Sequence, residues 1–343
     1  LLHIPAIAFA AKIERPTVDD WNEVNRSTPR FVDVLPNGPV NHPTVQLFLA
    51  GGVPEIMLHL RGLGLLDLDA RTVADQSLGD ILEWWETSPR REQLRELLRQ
   101  RDGVNPNDVI IAPAEARSRG LTSTVCFPTG NLCPEGSVIK STSIDPEVVD
   151  DDGVYRKTGP ARVFTSERAA IEAIKGQLDP PIKPGDILVL MGRGPQGSGM
   201  EATYPSTSAL QFLKWGRGVA VLTDARCSGV STGAGIGHVG PEALAGGPIG
   251  KLRDGDVIRI TVDTNLLTGT VDLVGDGDAE FSPEEGADIL AQRTAPADLA
   301  PDVDLPEDTR LWAALQRVGG GAWGGCVYDV DRIVAALERD EAR

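Results

Sequence analysis

Two stretches of this sequence decide the fold: DILVLMGRGPQGSGM (186–200) and GVAVLTDARCSGVSTGAGIGHVG (218–240). Each begins with a short apolar, β-branched run and continues into a glycine-rich segment, a pattern that predicts a buried strand followed by a loop. We expect the strands at 186–191 and 219–223. Residues just beyond a strand end are held rigidly and yet face a cleft, so the two loops are the first candidates for a functional site.

Further short β-branched runs flank these two and alternate with Gly, Pro and Asp turns. They are SVIKSTSI (137–144), ARVFTS (161–166), DVIRITVD (256–263) and TGTVDLVG (268–275). Helical patterns separate them or follow them: SERAAIEAIKG (166–176), STSALQFLKWG (206–216), EEGADILAQR (284–293) and DTRLWAALQRVG (308–319). Several short strands at this spacing predict a barrel or a mixed sheet.

Residues 1 to about 118 have a different, mostly helical pattern. The opening LLHIPAIAFAAKI is apolar at helical spacing, and LGDILEWWETSPRREQLRELLRQRDG predicts a helix broken near Pro89 and stopped at Gly103. A helix that starts at residue 1, without an initiator Met or a capping residue, predicts a chain cut from a longer one. We place a domain boundary at about 115–120, which gives domains 1–118 and 119–343.

The charge balance limits the possible partners. Lys and Arg number 33 against 50 Asp and Glu, a formal net charge of −17. Such a surface repels phosphate backbones and anionic lipids, and the sequence has no apolar run of about 18 residues, so we expect neither nucleic-acid nor membrane binding. The composition fits a cytoplasmic enzyme. An acidic substrate would then need a local positive feature, such as a metal ion or a helix amino terminus.

The four cysteines are Cys126, Cys133, Cys227 and Cys326. None forms a CxxC pair, and their spacings match no standard zinc site. Cys126 and Cys133, in a Pro- and Gly-rich stretch, could share a metal ion. Buried structural thiols are the favoured interpretation, and no metal ligand is assigned.

The loop after the first strand formally matches a dinucleotide-binding fingerprint, with Gly192, Gly194 and Gly197 in the required spacing. Pro195 lies inside it, however, and no helix is predicted to open at Gly197. Asp224 also lies further along than the acid that usually binds the ribose. A carboxylate or a metal-bound substrate suits such a loop better, because glycines let backbone N–H groups approach a ligand closely.

Ser228 follows the second strand and is the candidate nucleophile or base. It lacks the GxSxG context of a hydrolase, and no Ser–His–Asp set is evident. His238, the only histidine in this half of the chain, is more typical of a structural hydrogen-bonding residue than of a catalyst. An unassisted serine needs a neighbouring metal ion to lose its proton. Asn131, in the turn-rich NLCPEG segment, is positioned to face a ligand.

Three collinear motifs carry a resemblance to a known family. TGNLCPEGSVIK resembles the family's GNLxPxGxVxK, and GRGPQGSGM resembles its GPxGxPGM loop. TDARCSGVSTGAGIGHVGPEALAGGPIGKLRDGD resembles its TDxRxSG…GHVxPEAxxGGPIAxxxDGD segment. With LPNGP, FLAGGVPE and DTRLWAALQ, the similarity to the dihydroxy-acid/6-phosphogluconate dehydratase family covers essentially the whole chain, and its details are most similar to the branch that dehydrates D-xylonate.

This resemblance implies a hydro-lyase that removes water from a 2,3-dihydroxy acid and gives a 2-keto-3-deoxy acid. It implies an iron–sulfur cluster as Lewis acid on the 3-hydroxyl, Mg²⁺ on the carboxylate and 2-hydroxyl, and a serine alkoxide that takes the C2 proton. Ser228 occupies that serine's position. Asn131 and Gly229 are expected to bind the substrate. Family members are homo-oligomers, so a homo-oligomer is also expected.

The implied fold is α/β: the tail of an α/β amino-terminal domain, followed by a swivelling β-barrel-like β/β/α domain. The sequence departs from the family pattern at Ala202, where the family has a glutamate that ligates Mg²⁺; Glu201 stands next to it. Most cluster and Mg²⁺ ligands of the family lie upstream of Leu1. We therefore expect the chain alone to bind no cluster, to have little activity, and to need the missing amino-terminal half.

Two alternatives stay open. The chain could be a non-catalytic remnant or assembly module that keeps the fold but has lost the chemistry, which Ala202 favours. It could also be an NAD-dependent oxidoreductase built on the GRGPQG loop, which binding of a nicotinamide cofactor would support.

Overall fold

The computed structural model describes residues 2–35, 37–228, 231 and 233–341. The β-strands are β1 (Val125–Cys126), β2 (Gly136–Lys140), β3 (Val154–Phe164), β4 (Ile187–Leu190), β5 (Ala220–Thr223), β6 (Gly235–Gly240), β7 (Val257–Asp263) and β8 (Thr268–Gly275). The α-helices are α1 (His3–Ala11), α2 (Val18–Ser27), α3 (Thr44–Leu49), α4 (Gly52–Gly62), α5 (Leu78–Thr87), α6 (Pro89–Asp102), α7 (Pro106–Val109), α8 (Pro113–Ser118), α9 (Glu167–Ile174), α10 (Pro195–Ser198), α11 (Tyr204–Gln211), α12 (Pro283–Gln292), α13 (Glu307–Leu315) and α14 (Val330–Glu341). Short 3₁₀ helices occupy Ser141–Ser143, Pro146–Val148, Gly216–Gly218, Ala243–Ala245 and Pro248–Lys251.

The chain packs as two compact units, Asn25–Thr124 and Leu1–Val24 with Val125–Arg343. The predicted division into domains 1–118 and 119–343 stays a prediction. In the first unit, helices α3 and α6 enclose a small apolar core around Leu49 and Leu98. A buried Glu55 on α4 accepts hydrogen bonds from Arg91 at 2.7 and 2.8 Å, which compensate the loss of its hydration.

The second unit is built on one mixed sheet with the strand order β1-β2-β6-β5-β4-β3-β7-β8. The middle strands β6, β5, β4 and the end of β3 run parallel, and the outer pairs are antiparallel. Thr129, after β1, bridges Thr270 on β8 and so connects the two outer strands. The sheet is therefore nearly closed and barrel-like, and the predicted α/β fold with a barrel-like β-rich part is confirmed.

The central strands are apolar on both faces because both faces are covered. Side chains alternate along a strand, so Ile187 and Val189 of β4 point into the core enclosed by the sheet. Leu188 and Leu190 point the other way, into a second core under α9 and α11. The two helices connect β3 to β4 and β4 to β5, as the sequence pattern predicts. This packing fixes the carboxyl ends of β4, β5 and β6 side by side.

Two strands were not predicted from the sequence. β1 is only two residues long, and β6 lies in GIGHVG, where glycines lower the intrinsic preference for a strand. Tertiary pairing overrides that preference, because β6 is paired with β5 on one side and with β2 on the other. Among the helices of the described residues, none is long and apolar enough to cross a membrane.

Candidate active site

One buried aspartate connects the loops at the carboxyl ends of the neighbouring parallel strands β4, β5 and β6. Asp224, directly after β5, is 1% exposed. Its carboxylate accepts hydrogen bonds from the backbone N–H of Gly192 at 3.0 Å and of Arg193 at 2.8 Å, both in the loop after β4. It also accepts the N–H of Ala243 at 2.9 Å, in the turn after β6. The Asp224 carboxylate, in the loop after β5, therefore holds the loops after β4 and β6 through their backbone N–H groups.

A second buried carboxylate, Glu242, holds the same glycine-rich loop further along. Its two oxygens lie 3.1 and 2.9 Å from the backbone nitrogen of Gln196. A Cβ added to Gly194 would lie 2.5 Å from Glu242 Oε2, so a side chain at that position would push the carboxylate away. The absence of a side chain at Gly194 thus leaves the space that the Glu242 carboxylate occupies. We call Asp224 and Glu242 the buried carboxylate pair.

Burial shifts the acidity of both members of the buried carboxylate pair. It raises the pKa of Asp224, while the three backbone donors act in the opposite direction. For Glu242, burial and, second, the nearby charge of Asp224 together raise the pKa from 4.5 to about 8, against the opposing effect of the Gln196 N–H. Glu242 is therefore mostly protonated at neutral pH.

The raised pKa of Glu242 predicts a pH-dependent stability. A carboxyl group that binds its proton more tightly when folded stabilises the protein fully below its unfolded pKa of about 4.5, and that contribution is lost as the pH rises through about 8. Glu242→Gln stays neutral at every pH. We expect its melting temperature to fall less than that of the wild type between about pH 5 and pH 9. Circular dichroism melting curves measure this.

The exposed Glu83→Gln is the control for this experiment, because it removes a carboxyl group from α5 and leaves the buried carboxylate pair intact. Its melting temperature should follow that of the wild type at every pH. Equal pH dependence in Glu242→Gln and the wild type would contradict the assignment of the titration to Glu242.

Ser228 lies four residues after Asp224 on the same loop and is partly buried. Its carbonyl oxygen accepts the N–H of Ser231 at 2.9 Å. The segment between Asp224 and Ser228 is held by β6, because the N–H of His238 donates a hydrogen bond to the Ala225 carbonyl at 2.8 Å. Ser228 is therefore joined to the end of β5 by a segment with backbone contacts to β6, and its catalytic role stays a prediction. Gly229, expected to bind substrate, lies outside the residues that the structure describes.

His238 adopts a left-handed backbone conformation, with φ of 53°, in the middle of β6. Trp323 Nε1 donates to its carbonyl oxygen at 2.9 Å. Burial lowers the pKa of His238 to about 4, and the positive charge of Arg226 contributes, so the ring is neutral at physiological pH. Its Nδ1 is buried without a hydrogen-bond partner among the described residues. The backbone contacts fit the structural role expected of this histidine.

Ala202, where the resemblance implies a Mg²⁺ ligand, forms a parallel bridge with Arg226, two residues before Ser228. The neighbouring Glu201 carboxylate is bound by the guanidinium of Arg193. Arg193 also donates to Asp302 at 2.8 Å. Glu201 is thus engaged by a cation, and the residue next to it has no ligand atom in its side chain. These residues do not fit a Mg²⁺ site.

The cysteines do not fit a cluster site either. Burial raises the pKa of Cys126, Cys133 and Cys326 to about 12 and that of Cys227 to about 11, so their thiols stay protonated at neutral pH. Thiolates are the form that binds metal. Over the described part of the chain, no group of three or more His, Cys, Asp or Glu side chains is arranged to hold a metal ion.

Asn131 is held by backbone groups of β8 and of the start of α12. Its side-chain amide donates to the carbonyls of Leu273 at 3.0 Å and Pro283 at 2.9 Å, and its oxygen accepts the N–H of Leu273 at 2.7 Å. Its own N–H donates to Asp272 at 2.8 Å. These contacts fasten the loop after β1 to β8 and α12. A substrate-binding role for Asn131 stays a prediction.

Sequence patterns did not single out Glu242 or assign a structural role to Asp224. The available signal was an acidic residue close to the end of each of two buried strands. Asp224 directly follows β5, and Glu242 lies shortly after β6. An acid at such a position has backbone N–H groups of the adjacent loops within reach once the strand order is known.

Comparison with known proteins gives two family matches. Residues 110–297 match the dihydroxy-acid/6-phosphogluconate dehydratase C-terminal model, and residues 1–81 match the corresponding N-terminal model. The proteins named D-xylonate dehydratase YagF and YjhG of Escherichia coli (strain K12) are 60% and 57% identical over 337 and 339 residues, which cover 98% of this chain and 51% of each relative. A dihydroxy-acid dehydratase of Dinoroseobacter shibae is 36% identical over 328 residues, 95% of this chain and 49% of that relative. The chain thus spans about half the length of the curated relatives it matches.

Proposed function

Because the chain belongs to the dihydroxy-acid/6-phosphogluconate dehydratase family, we propose that it is the carboxy-terminal part of a sugar-acid dehydratase whose substrate is D-xylonate. The reaction removes the C2 proton and the 3-hydroxyl of a 2,3-dihydroxy acid as one molecule of water. The resulting enol tautomerises to the 2-keto-3-deoxy acid. The identity of 60% and 57% to two proteins named D-xylonate dehydratase supports the choice of substrate.

One structural observation carries this proposal. The glycine-rich motif after β4, the TDARCSG motif after β5 and the PEA motif after β6 converge on the buried carboxylate pair at one edge of the parallel strands. In both open and closed α/β sheets, ligands bind at the carboxyl ends of parallel strands. The segments that carry the family resemblance are thus the ones that meet at the expected position of a binding site.

In this proposal Ser228 takes the C2 proton, and Gly229 and Asn131 contact the substrate. A serine hydroxyl is a weak acid, so it acts as a base only where nearby positive charge favours the alkoxide. The iron–sulfur cluster and Mg²⁺ implied by the resemblance find no set of ligands among the residues described above. We propose that most of their ligands belong to the half of the relatives that this chain does not span.

The full-length protein is proposed to be a cytoplasmic homo-oligomer in which an amino-terminal half completes the site. The resemblance supports the oligomer. The formal net charge of −17 supports a small-molecule substrate over a nucleic-acid or lipid partner.

The second candidate function is a non-catalytic module of the same fold. Ala202 and the engagement of Glu201 by Arg193 favour it, because both remove a carboxylate from the position of the family's metal ligand. The NAD-dependent alternative has less support. The N–H groups of Gly192, Arg193 and Gln196, which a pyrophosphate would need, are occupied by the buried carboxylate pair.

An assay of the longest available form tests the proposal. The protein is reconstituted anaerobically with iron, sulfide and Mg²⁺, and 2-keto-3-deoxy acid formation from D-xylonate is measured. We expect turnover at about 1–1,000 per second, the ordinary range of enzymes. Keto-acid formation from another pentonate or hexonate would correct only the substrate. Its absence with every sugar acid, in folded and cluster-loaded protein, would favour the non-catalytic module.

A further inference from the structure

The buried carboxylate pair is compensated in an unusual way. Burying a carboxylate costs several kcal/mol unless hydrogen bonds or a partner charge replace its hydration. Among the residues described, no Lys or Arg forms an ion pair with Asp224 or Glu242. Arg91, Arg193 and Arg293 pair with other carboxylates. Within the described part of the chain, the hydrogen bonds that both side chains accept come from backbone N–H groups. These carboxylates therefore act on the path of the backbone rather than on other side chains.

The contacts form a closed circuit through the candidate site. Asp224 holds the start of the glycine-rich loop at Gly192 and Arg193. That loop continues to Ala202, whose backbone forms a bridge with Arg226. Arg226 lies on the loop after β5 that carries Ser228, which we call the Ser228 loop. This bridge consists of two backbone hydrogen bonds: Arg226 N–H donates to the Glu201 carbonyl at 3.1 Å, and Thr203 N–H donates to the Arg226 carbonyl at 2.9 Å.

From this circuit we infer that Asp224 and Glu242 are positioning residues, which fix the glycine-rich loop against the Ser228 loop without contacting the substrate. Asp224 determines where the loop starts, and Glu242 holds its middle at Gln196. Ser228 follows Arg226 by two residues, so its position depends on the contacts of Asp224 with the glycine-rich loop and on the bridge of Arg226 with Ala202. The catalytic consequence rests on the function proposed above, whereas the positioning itself does not.

Asp224→Asn tests the inference on the chain itself. An asparagine side chain has one acceptor atom, so at least one of the three backbone N–H groups that Asp224 now binds loses its partner. Hydrogen exchange measured by mass spectrometry should show exchange at Gly192, Arg193 or Ala243 accelerated by about tenfold or more, the effect of losing one hydrogen bond to a charged group. The strands β7 and β8 should keep their protection.

Asp256→Asn is the matched control. Asp256 is also a buried aspartate, 3% exposed, at the start of β7. It accepts the backbone N–H of Arg253 at 2.8 Å and pairs with Arg293. Its replacement should accelerate exchange near Arg253 and leave the glycine-rich loop protected. The inference is overturned if Asp224→Asn leaves all three amides protected, or if exchange rises equally in every strand.

Kinetics of the full-length enzyme provide a readout that mere destabilisation would not change. We expect Asp224→Asn and Glu242→Ala to lower kcat by about tenfold to a hundredfold, with KM for the sugar acid within about twofold. Glu242→Gln keeps an acceptor for the Gln196 N–H and should retain kcat within about threefold at neutral pH. Equal losses in Glu242→Gln and Glu242→Ala, or a rise in KM alone, would contradict positioning. If the wild type has no dehydratase activity, the proposed function fails, and hydrogen exchange still decides the inference.

Discussion

Replacing Ser228 by alanine in the longest form of the protein is expected to lower kcat for keto-acid formation from D-xylonate by about a thousandfold or more. Alanine cannot take the C2 proton, and the neighbouring Cys227 does not replace the hydroxyl as a base, since burial raises the pKa of its thiol to about 11. KM should change little, because the hydroxyl acts on the proton and not on the binding of the distal hydroxyl groups of the sugar acid.

Ser231→Ala is the control for this experiment. Ser231 lies on the same loop, is 7% exposed, and its hydroxyl oxygen is 3.1 Å from Thr207 Oγ1. Its loss should lower kcat by no more than about fivefold, the effect of one neutral hydrogen bond. Both variants are assayed by keto-acid release, with folding checked by circular dichroism. If Ser228→Ala retains wild-type turnover, the serine is not the base. If both variants are equally impaired, the loss reflects damage to the loop.

The second large effect is expected from Ala202→Glu. This substitution returns a carboxylate to the position where the resemblance implies a Mg²⁺ ligand, and carboxylate oxygens are the ligands that Mg²⁺ prefers. Glu201 does not supply this ligand, because its carboxylate is bound by Arg193. In the full-length protein we expect Mg²⁺-dependent dehydratase activity to rise by about tenfold or more, measured as keto-acid release against Mg²⁺ concentration.

Ala202→Gln is the matched control, because it adds a side chain of the same length without the charge. It should leave the Mg²⁺ dependence at the wild-type level. Equal activity in Ala202→Glu and Ala202→Gln would show that the carboxylate is not a ligand. A wild type that already responds to Mg²⁺ as strongly as Ala202→Glu would show that another group of the full-length protein takes the role.

Much of the fold could be predicted because local pattern and tertiary structure agree. The runs ILVLM (187–191) and VAVL (219–222) are buried on both faces, so they are apolar without interruption, and they contribute β4 and β5. The helix break near Pro89 is also confirmed, since α5 ends at Thr87 and α6 begins at Pro89. Gly103 ends α6 in a left-handed conformation, with φ of 66°, as expected of a glycine stop.

The candidate site could be predicted only in part, because it depends on which strands are neighbours. The position of Ser228 beyond a strand end follows from local sequence. The contact of Asp224 with Gly192 requires that β4 and β5 lie side by side, which no local pattern specifies. The side-chain hydrogen bonds of Asn131 to the backbone of Leu273 and Pro283 likewise depend on tertiary neighbours that no local pattern specifies, and its role toward a ligand stays a prediction.

The pairing of β3 with β7 determines when this molecule can finish folding during its synthesis. β3 (Val154–Phe164) pairs along most of its length with β7 (Val257–Asp263), a strand that leaves the ribosome much later. Until then, the nascent chain exposes one edge of β3 and the apolar residues of β4 and β5 that pack beneath β7 and β8. Chaperones that bind extended apolar segments are therefore expected to capture the nascent chain until β7 emerges and covers that edge.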